Sequence, residues 1–482
     1  MIFEMKQSYL KNEKVQRHRW WILTAIGLFT IMATLDGSIV NIALPVISQN
    51  LKIPMNQAEW VVSVYLIVIC SLLLFFGKLG DSIGKIKIFR LGTFFFVAGS
   101  FLAGINGSFV LLLAARAIQA FGASMTMSTN NGIITEIFPL SERGKALGLI
   151  GSFVSLGSIA GPGVGGLILA HLSWGYIFWI NVPIGILTII LGAFILPKDL
   201  ATEKKPSLDY KGASTFAALM VSLFTAIFLG QEIGFTAIGV IVLFVIAVIS
   251  LWLFFKAEST QKDPLISFAI FKNRQFSSSL LAGFLIFVTN FFFNVISPFY
   301  LENARDLTPR TAGYILMIFP LVQVIAAPLS GAISDRIGTK LLTIIGLLLI
   351  LVSQFGYMLT NLETPLWLFM INVGLVGLGN GIFQAPNNTT VMSSVSVKDL
   401  GIAGGINALA RNLGMVIGIS GATTVLFTAM SIHSGLQVTT YPAKRPDLFI
   451  FGMHAVFLLS LLICLLALLA ACWHTKKAHA SR

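Results

Sequence analysis

The sequence predicts an all-α polytopic membrane protein with fourteen transmembrane helices. Of its 482 residues, 56% are hydrophobic and only 11% are charged, and the mean hydropathy is +0.88. A soluble domain carries about 25% charged residues, because its surface faces water. The apolar runs match the ~20 residues that cross a bilayer, and they lack the alternation of barrel strands. Since lipid tolerates only helices and closed barrels, the spans are helical.

Fourteen apolar runs are long enough to cross the bilayer, and an even number places both termini on one side. In chain order the runs are 20–46, 60–76, 88–104, 108–137, 146–169, 174–196, 213–230, 235–256, 276–300, 310–333, 341–361, 366–394, 402–430 and 449–472. The first run is a retained span rather than a signal peptide, because it is too long and contains Asp36.

The distribution of basic residues predicts the orientation. Most of the 32 Lys and Arg residues lie in the two tails and in every second loop. The opposite loops carry only Lys52, Arg305, Arg310, Lys444 and Arg445. Because basic loops stay inside, both termini are predicted to be cytoplasmic, in the plasma membrane. The net charge of +13 therefore reflects topology, and we expect no nucleic-acid partner.

Other function classes lack sequence support. The cysteines Cys70, Cys464 and Cys472 lie in or beside apolar runs, which predicts no disulfide framework. The six histidines have no metal-ligand spacing, so we expect no metal site. No phosphate-binding G-x-x-x-x-G-K-[ST] motif occurs, and no acid–histidine–metal pattern suggests an enzyme. We expect neither an ATP-driven pump nor an enzyme.

The chain contains an internal repeat. Gly77-x-x-x-Asp81-x-x-Gly84 follows the second span, and Gly331-x-x-x-Asp335-x-x-Gly338 follows the tenth at one common offset. Transporters are commonly built from such repeated halves, with the substrate site between them. The sequence predicts five divisions. Residues 1–19 form a basic cytoplasmic tail, 20–196 a six-helix bundle, and 197–275 inner loops with two additional spans (213–230 and 235–256). Residues 276–472 form a second six-helix bundle, and 473–482 form a second cytoplasmic tail.

Four segments resemble the major facilitator superfamily, and within it the fourteen-span drug:proton antiporters of the EmrB/QacA type. They are the first span's Leu35–Pro45 (LDGSIVNIALP), the loop Gly77–Lys85 (GKLGDSIGK), Arg116-x-x-Gln119 with Gly122 in the fourth span, and Gly148, Gly157, Gly161, Pro162, Gly165 and Gly166 in the fifth. Ser82 stands where the loop motif usually has a basic residue, and Ala120 where the fourth span usually has glycine.

Asp36 and Arg116 are the candidate proton-coupling residues. Asp36 is the only carboxylate deep in a predicted span, and such groups usually face a cavity or a partner. By residue count, Arg116 lies at a similar depth, some 12–15 Å from the outer end at ~1.5 Å per residue. We expect them to interact directly or through water. The alternatives are a structural ion pair or backbone cap for Asp36 and a packing role for Arg116.

Amide and aromatic side chains on helix faces predict a substrate cavity. The candidates are Gln119, Thr126, Asn130, Asn290, Phe293, Asn294, Asn380, Gln384 and Asn387. A cavity of amides and rings suits amphipathic and cationic organic molecules. The alternative is hydrogen bonding between helices, at under about 1 kcal/mol per bond.

Two further groups have roles that the resemblance implies. Gly77, Asp81, Gly84, Lys85 and Asp335 form the gating-loop motif, for which the alternative is solvated loop charge. The fifth-span antiporter motif comprises Gly157, Gly161, Pro162, Gly165 and Gly166, which allow close helix packing and favour exchange over uptake. Arg411 also lies within a span, and no partner for it follows from the sequence.

The resemblance implies a proton-driven multidrug efflux antiporter that confers antibiotic resistance. It would work as a monomer in the bilayer, with protons as the coupling ion and no cofactor. Because one carboxylate faces two arginines within the spans, we expect monocationic, neutral or zwitterionic lipophilic substrates. The alternative is a proton-coupled transporter of one specific native solute or lipid.

Overall fold

The computed structural model describes residues 9–105, 107–200, 209–261, 264–266, 268–436, 438 and 445–473. The ends of the two predicted tails, 1–8 and 474–482, lie outside these ranges. So do the side chains of Met55, Asn56, Pro162, Gln231, Pro309 and Arg310. Within the described ranges the secondary structure is helical throughout, with no strand.

In the described ranges, fourteen helices are long and apolar enough to cross a membrane, which confirms the predicted fold class. The first seven are α1 Glu13–Leu51, α2 Trp60–Ile83, α3 Lys85–Ala103, α4 Phe109–Ile137, α5 Leu140–His171, α6 Tyr176–Ile195 and α7 Tyr210–Ile233. The remaining seven are α8 Ile238–Thr260, α9 Arg274–Pro298, α10 Thr311–Ile337, α11 Thr339–Met358, α12 Leu366–Ser393, α13 Leu400–Ser434 and α14 Pro446–Trp473.

Local sequence signals set several helix ends. The side chains of Asn12, Ser108 and Asp209 accept backbone hydrogen bonds at the starts of α1, α4 and α7. Such caps satisfy N–H groups that have no partner within the helix. The repeated glycines Gly84 and Gly338 end α2 and α10 with φ of 113° and 88°, a backbone conformation that glycine adopts at low cost. The two copies of the repeat therefore end their helices in the same way.

The chain forms two compact units. Unit 1 comprises residues 1–146, 153–272 and 392–409, and unit 2 comprises 147–152, 273–391 and 410–482. Unit 1 therefore includes the additional helices and the first turns of α13. The predicted division into tails, bundles and linking spans stays a prediction.

The additional helices α7 and α8 pack against each other, and α7 also packs against α2. At one end of this hairpin, Glu258 accepts a hydrogen bond from the backbone N–H of Ile266 at 2.8 Å. The ring of Tyr210 lies 6.5 Å from that of Phe75. The two additional spans are thus attached to unit 1.

An aromatic cluster forms much of the core of unit 2. The ring of Tyr357, on α11, lies 4.9 Å from that of Phe457, on α14, and 5.4 Å from that of Phe369. Rings at these separations add a specific attraction to the burial of apolar surface. This cluster fixes α14 against α11.

Glycines of α5 allow it to approach α1 closely. A Cβ on Gly157 would collide with Oγ1 of Thr34 and lie 2.7 Å from the carbonyl oxygen of Ile31. A Cβ on Gly161 would likewise collide with the side chain of Ser38. These two motif glycines are therefore packing residues.

The other members of the same motif are in looser surroundings. A Cβ on Gly165 would make ordinary contact with Ile39 at 3.5 Å, and one on Gly166 would meet nothing within 4 Å. The side chain of Pro162 is outside the described part of the chain. An exchange-specific role for the motif stays a prediction.

Replacing Gly157 by alanine should destabilise the protein. The added methyl group must displace α1 or α5, and overpacking of this kind costs about 1–3 kcal/mol. We expect a lower midpoint of thermal unfolding for purified Gly157→Ala in detergent, followed by size-exclusion chromatography. Gly166→Ala is the matched control and should unfold at or above the wild-type temperature, because its methyl group enters open space. Equal effects of the two substitutions would contradict the packing role.

Candidate functional site

Asp36 lies in the middle of α1, and its side chain is fully buried. Its Oδ2 accepts a hydrogen bond from Nη1 of Arg116 at 2.7 Å. Its Oδ1 accepts two amide hydrogen bonds, both at 2.8 Å, from Nε2 of Gln119 and Nδ2 of Asn181. The contact expected between Asp36 and Arg116 is therefore present and direct. Its role in proton coupling stays a prediction.

Arg116 is nearly as buried as its partner and contacts groups of α1, α2, α4 and α6. Its Nε donates to the carbonyl oxygen of Val61 at 3.1 Å, and Nη1 also donates to Oε1 of Gln119 at 2.6 Å. The guanidinium lies 4.1 Å from the ring centroid of Tyr65 and 5.6 Å from that of Phe178. Such ring faces attract a cation. These contacts fix the orientation of Arg116 toward α1.

Burying the ion pair between Asp36 and Arg116 costs free energy, and so does removing one of its two partners. Taking two charges out of water costs several kcal/mol per ion, which their attraction and hydrogen bonds must offset. Removing one partner of a buried pair costs about 3–5 kcal/mol, because the other charge is left uncompensated. Arg116 and the two amides therefore offset the cost of burying the carboxylate of Asp36.

Asn181 was not among the residues predicted from the sequence. It is the first residue of the segment Asn181–Ile195 of α6, directly after an interruption of the helix at Ile180. Its side chain is fully buried, and its Oδ1 has no hydrogen-bond donor among the described residues. An unpaired buried acceptor costs about 1–3 kcal/mol. An amide within an apolar span, two residues before Pro183, is the signal that could have identified it.

Asp81 belongs to a second buried charge cluster. Nζ of Lys85 lies 2.7 Å from Oδ1 of Asp81 and 2.8 Å from Oε1 of Glu136, on α4. The side chains of Asp81 and Lys85 are each only 7% exposed. The alternative of solvated loop charge is therefore wrong for Asp81, which lies in the last turn of α2. The second span was predicted to end at residue 76, before the end of α2 at Ile83, because the last turns of this helix contain polar residues.

The carboxylate of Asp81 also caps the start of α13. Its Oδ1 accepts from the backbone N–H of Gly401 at 2.7 Å, and its Oδ2 from that of Ile402 at 2.8 Å. The first N–H groups of a helix lack internal partners and attract negative charge. Gly77 permits this approach, because a Cβ there would lie 2.6 Å from the carbonyl oxygen of Gly401. Within unit 1, Asp81 thus connects α2 to α13.

Gly84 and Asp335 have different surroundings. Asp199, a residue not predicted from the sequence, accepts hydrogen bonds from the backbone N–H groups of Ile86 and Lys87 at 2.9 and 2.8 Å. A Cβ on Gly84 would collide with this carboxylate. Asp335 lies in the last turn of α10 and is half-buried, so it is not a loop residue as expected. A gating role for these residues stays a prediction.

The candidate cavity residues of unit 1 lie along α4. Gln119 belongs to the Asp36 cluster and donates from Nε2 to Oγ of Ser100 at 2.9 Å. Thr126 is fully buried and bonds to carbonyl oxygens of its own helix. Asn130 is buried, and its Oδ1 has no donor among the described residues. Of these three, Asn130 has the free acceptor that a bound molecule could use.

The candidates of unit 2 include two amide pairs. Asn290 and Asn380 exchange hydrogen bonds of 2.7 and 2.9 Å, and Oε1 of Gln384 accepts from Gln323 at 3.1 Å. Oδ1 of the buried Asn387 has no donor in the described ranges. Paired amides hold helices together, whereas an unpaired one is free to bind a ligand.

Phe293 lies in the core of unit 2, whereas Asn294 lies at the surface. The ring of Phe293 is buried, 5.4 Å from that of Tyr357 and 5.9 Å from that of Phe319. Asn294 is exposed, and its Nδ2 donates to the carbonyl oxygen of Asn290 at 2.9 Å. These contacts favour a packing role for Phe293 over a cavity wall.

Among the described residues, no group of three or more His, Cys, Asp and Glu side chains is arranged to hold a metal ion. The described residues contain fourteen helices that are long and apolar enough to cross a membrane, with an ion pair buried among them, as expected of a multi-pass membrane protein. The sequence profile of the Major Facilitator Superfamily matches residues 26–211, 210–419 and 280–482. The chain belongs to the Major Facilitator Superfamily.

Relatives with different stated functions are similar over most of the chain. The riboflavin transporter RibZ of Clostridioides difficile is 33% identical over 470 residues, which cover 96% of this chain and 99% of RibZ. The multidrug resistance protein Stp of Mycobacterium tuberculosis is 27% identical over 411 residues, 85% of this chain and 76% of Stp. The human organic anion transporter MFSD10 (TETRAN) has the same fold, with a TM-score of 0.63 at 15% identity over 96% of this chain and 99% of that one.

Replacing Asp81 by asparagine should destabilise unit 1. The substitution removes the charge opposite Lys85 and one of the two acceptors at the start of α13. We expect a loss of about 3 kcal/mol, the lower end of the range for a broken buried pair, because Glu136 still contacts Lys85. The measurement is the thermal midpoint of the purified protein in detergent.

Asp399→Asn is the control for this substitution. Asp399 is an exposed carboxylate one residue before α13, and it bonds to Oγ of Ser396 at 2.6 Å. Its replacement should leave the midpoint within the error of the wild type. If Asp81→Asn is equally neutral, the carboxylate does not hold α13.

Proposed function

We propose that this chain is a proton-driven antiporter of the plasma membrane, with both termini cytoplasmic, that exports lipophilic compounds by alternating access. The observation that carries the proposal is the fully buried carboxylate of Asp36 in the middle of α1, paired at 2.7 Å with Arg116 of α4. Ionisable groups within membrane spans are rare and mark proton and substrate pathways. A proton on Asp36 would remove the charge that attracts α4.

In the proposed cycle, a proton from outside binds Asp36 and the cargo leaves outward. Arg116 then keeps Gln119 and the carbonyl oxygen of Val61 as partners. Because α1 and α4 are no longer joined by an ion pair, the outward state loses stability and the inner side opens. The proton leaves to the cytoplasm, fresh cargo enters, and the ion pair re-forms.

The charges within the spans support a restricted range of cargo. By sequence, the spans carry one deep carboxylate, Asp36, and two arginines, Arg116 and Arg411, so a dication would be a poorer match than a monocation. The free amide oxygens of Asn130 and Asn387 can accept hydrogen bonds from a neutral or singly charged molecule. Monocationic, neutral and zwitterionic compounds therefore fit best.

Two similarities favour two kinds of cargo. The resistance function stated for Stp supports export of several compounds, including antibiotics. The greater and more complete similarity to RibZ supports a second candidate, a proton-coupled carrier of one solute of the riboflavin kind. Riboflavin joins a planar ring system to a polyol chain, and amide side chains can bind both parts.

Asp36→Asn should abolish proton-coupled export. The amide has the size of the carboxyl group but carries no exchangeable charge, so the ion pair cannot form and break. In everted vesicles with an acidic lumen, wild-type protein should accumulate a fluorescent monocation such as ethidium and release protons as it does so. Both signals should fall to those of vesicles without the protein. Full export by the variant would rule out Asp36 as the proton carrier.

Asp447→Asn is the matched control in the same vesicles. Asp447 is an exposed carboxylate paired with Arg445 at 2.8 Å, outside the buried clusters. Its substitution should leave export and proton release unchanged. A defect in this variant too would indicate a general effect of losing a carboxylate.

A comparison of cargoes should separate the two candidates. Under multidrug export, ethidium accumulates faster than the dication pentamidine at equal concentration, and unrelated monocations compete with it. Under the second candidate, riboflavin is transported in a proton-dependent way and ethidium neither accumulates nor competes. Pentamidine as the best substrate would contradict the charge argument.

A further inference from the structure

The groups around Asp36 suit only its ionised form. Its carboxylate oxygens accept from Arg116, Gln119 and Asn181, and all three contacts are donors. A protonated carboxyl group also donates, through its new O–H. If Asp36 carries a proton, as the proposed function requires, that O–H needs an acceptor in a site that excludes water.

The neighbouring acceptors differ in availability. Oε1 of Gln119 already accepts from Arg116 at 2.6 Å. Oγ of Ser100 accepts from Gln119 at 2.9 Å and donates to the carbonyl oxygen of Phe96 at 2.8 Å. Oδ1 of Asn181 is buried and has no donor in the described part of the chain. It belongs to the same amide whose Nδ2 contacts Asp36.

We propose that Asn181 is a positioning residue whose amide reverses when Asp36 changes protonation state. While Asp36 is ionised, Nδ2 of Asn181 donates to Oδ1 of the carboxylate. When an external proton forms an O–H bond on Asp36, a half-turn of the Asn181 amide about χ2 presents its Oδ1 to that O–H. Asn181 stays neutral, Arg116 stays charged, and the only net change is one proton gained by the site.

The shape of the amide keeps the steric cost of this reversal small. A primary amide is planar, and its oxygen and nitrogen ends are nearly the same in size, so a half-turn leaves the packing unchanged. The reversal exchanges one hydrogen bond for another. It removes no bond from Oδ1, which has no donor in the ionised state, and Nδ2 then becomes the unpaired end of the amide, so one end is unpaired in both states. Gln119 lacks this freedom, because turning its amide would break its bonds to Arg116 and Ser100.

The charged and titratable groups described at this site come from α4 and α2. From α4, Arg116 is the cation in contact with Asp36. From α2, the ring of Tyr65 lies against the guanidinium of Arg116, with its centroid 4.1 Å away. The contacts from α3 and α6 come from the neutral Ser100, through Gln119, and from Asn181 itself. A change in the protonation of Asp36 thus acts directly on Arg116 and on the rotatable amide of Asn181.

Infrared difference spectroscopy of the full-length protein in lipid tests the proposal without cargo. Acidification should produce the carbonyl stretch of protonated Asp36, identified by its absence in Asp36→Asn. In Asn181→Leu the new O–H has no acceptor, so this stretch should move to higher frequency. Gln119→Leu is the matched variant: it also removes one 2.8 Å amide donor to Oδ1, but it should leave the stretch at the wild-type frequency.

Two results would overturn the proposal. One is an unchanged stretch in Asn181→Leu, and the other is an equal shift in Gln119→Leu, which would make Asn181 an ordinary donor. If Asn181→Leu does not fold, the smaller Asn181→Val gives the same test. Asp36 can protonate in this experiment whether or not transport is coupled to protons. The proposal for Asn181 can therefore be contradicted without contradicting the antiport mechanism, and the reverse also holds. In vesicles, Asn181→Leu should also shift the pH of half-maximal export.

Discussion

The ion pair between Asp36 and Arg116 is the constraint on which the rest of unit 1 depends. Two charges can remain in an apolar bundle only if donors and acceptors from other helices complete their coordination. Here α1 and α4 supply the charges, α2 supplies the carbonyl oxygen of Val61, and α6 supplies Asn181. Ser100 of α3 is joined through Gln119. Groups from five helices therefore complete the coordination of this one buried ion pair.

The Asp81 cluster is a second buried group of charges in unit 1, and it too needs partners from other helices. Asp81 and Lys85 are nearly as buried as the first pair, and their compensation again comes from elsewhere in the sequence, from Glu136 and from the N-terminus of α13. Neither cluster is a local ion pair along one helix. Each connects helices whose relative movement requires the connection to open. A change in charge at either cluster is therefore also a change in packing.

The sequence predicted what depends on composition and depth, and not what depends on tertiary neighbours. Apolar length identified the fourteen helices of the described residues that can cross a membrane, and residue counting placed Asp36 and Arg116 at a similar depth. Asn181 was missed because one amide in an apolar run has no periodic pattern around it, and Asp199 because a loop carboxylate gives no sign of the helix that it caps. Phe293 was predicted to line a cavity as an aromatic ring near amide side chains, and its described ring contacts are with other aromatic residues, which sequence alone does not indicate.

The complete burial of the Asp36 cluster has a consequence for the proposed cycle. Because Asp36, Arg116 and Gln119 use their polar atoms on one another, little of that chemistry remains for cargo in this conformation. The free hydrogen-bonding capacity lies instead on neutral amides such as Asn130 and Asn387. Coupling and cargo recognition would then reside on different side chains. Substitutions at Asn130 or Asn387 would therefore change the range of cargo without disturbing the charges, since neither amide is among the donors to Asp36.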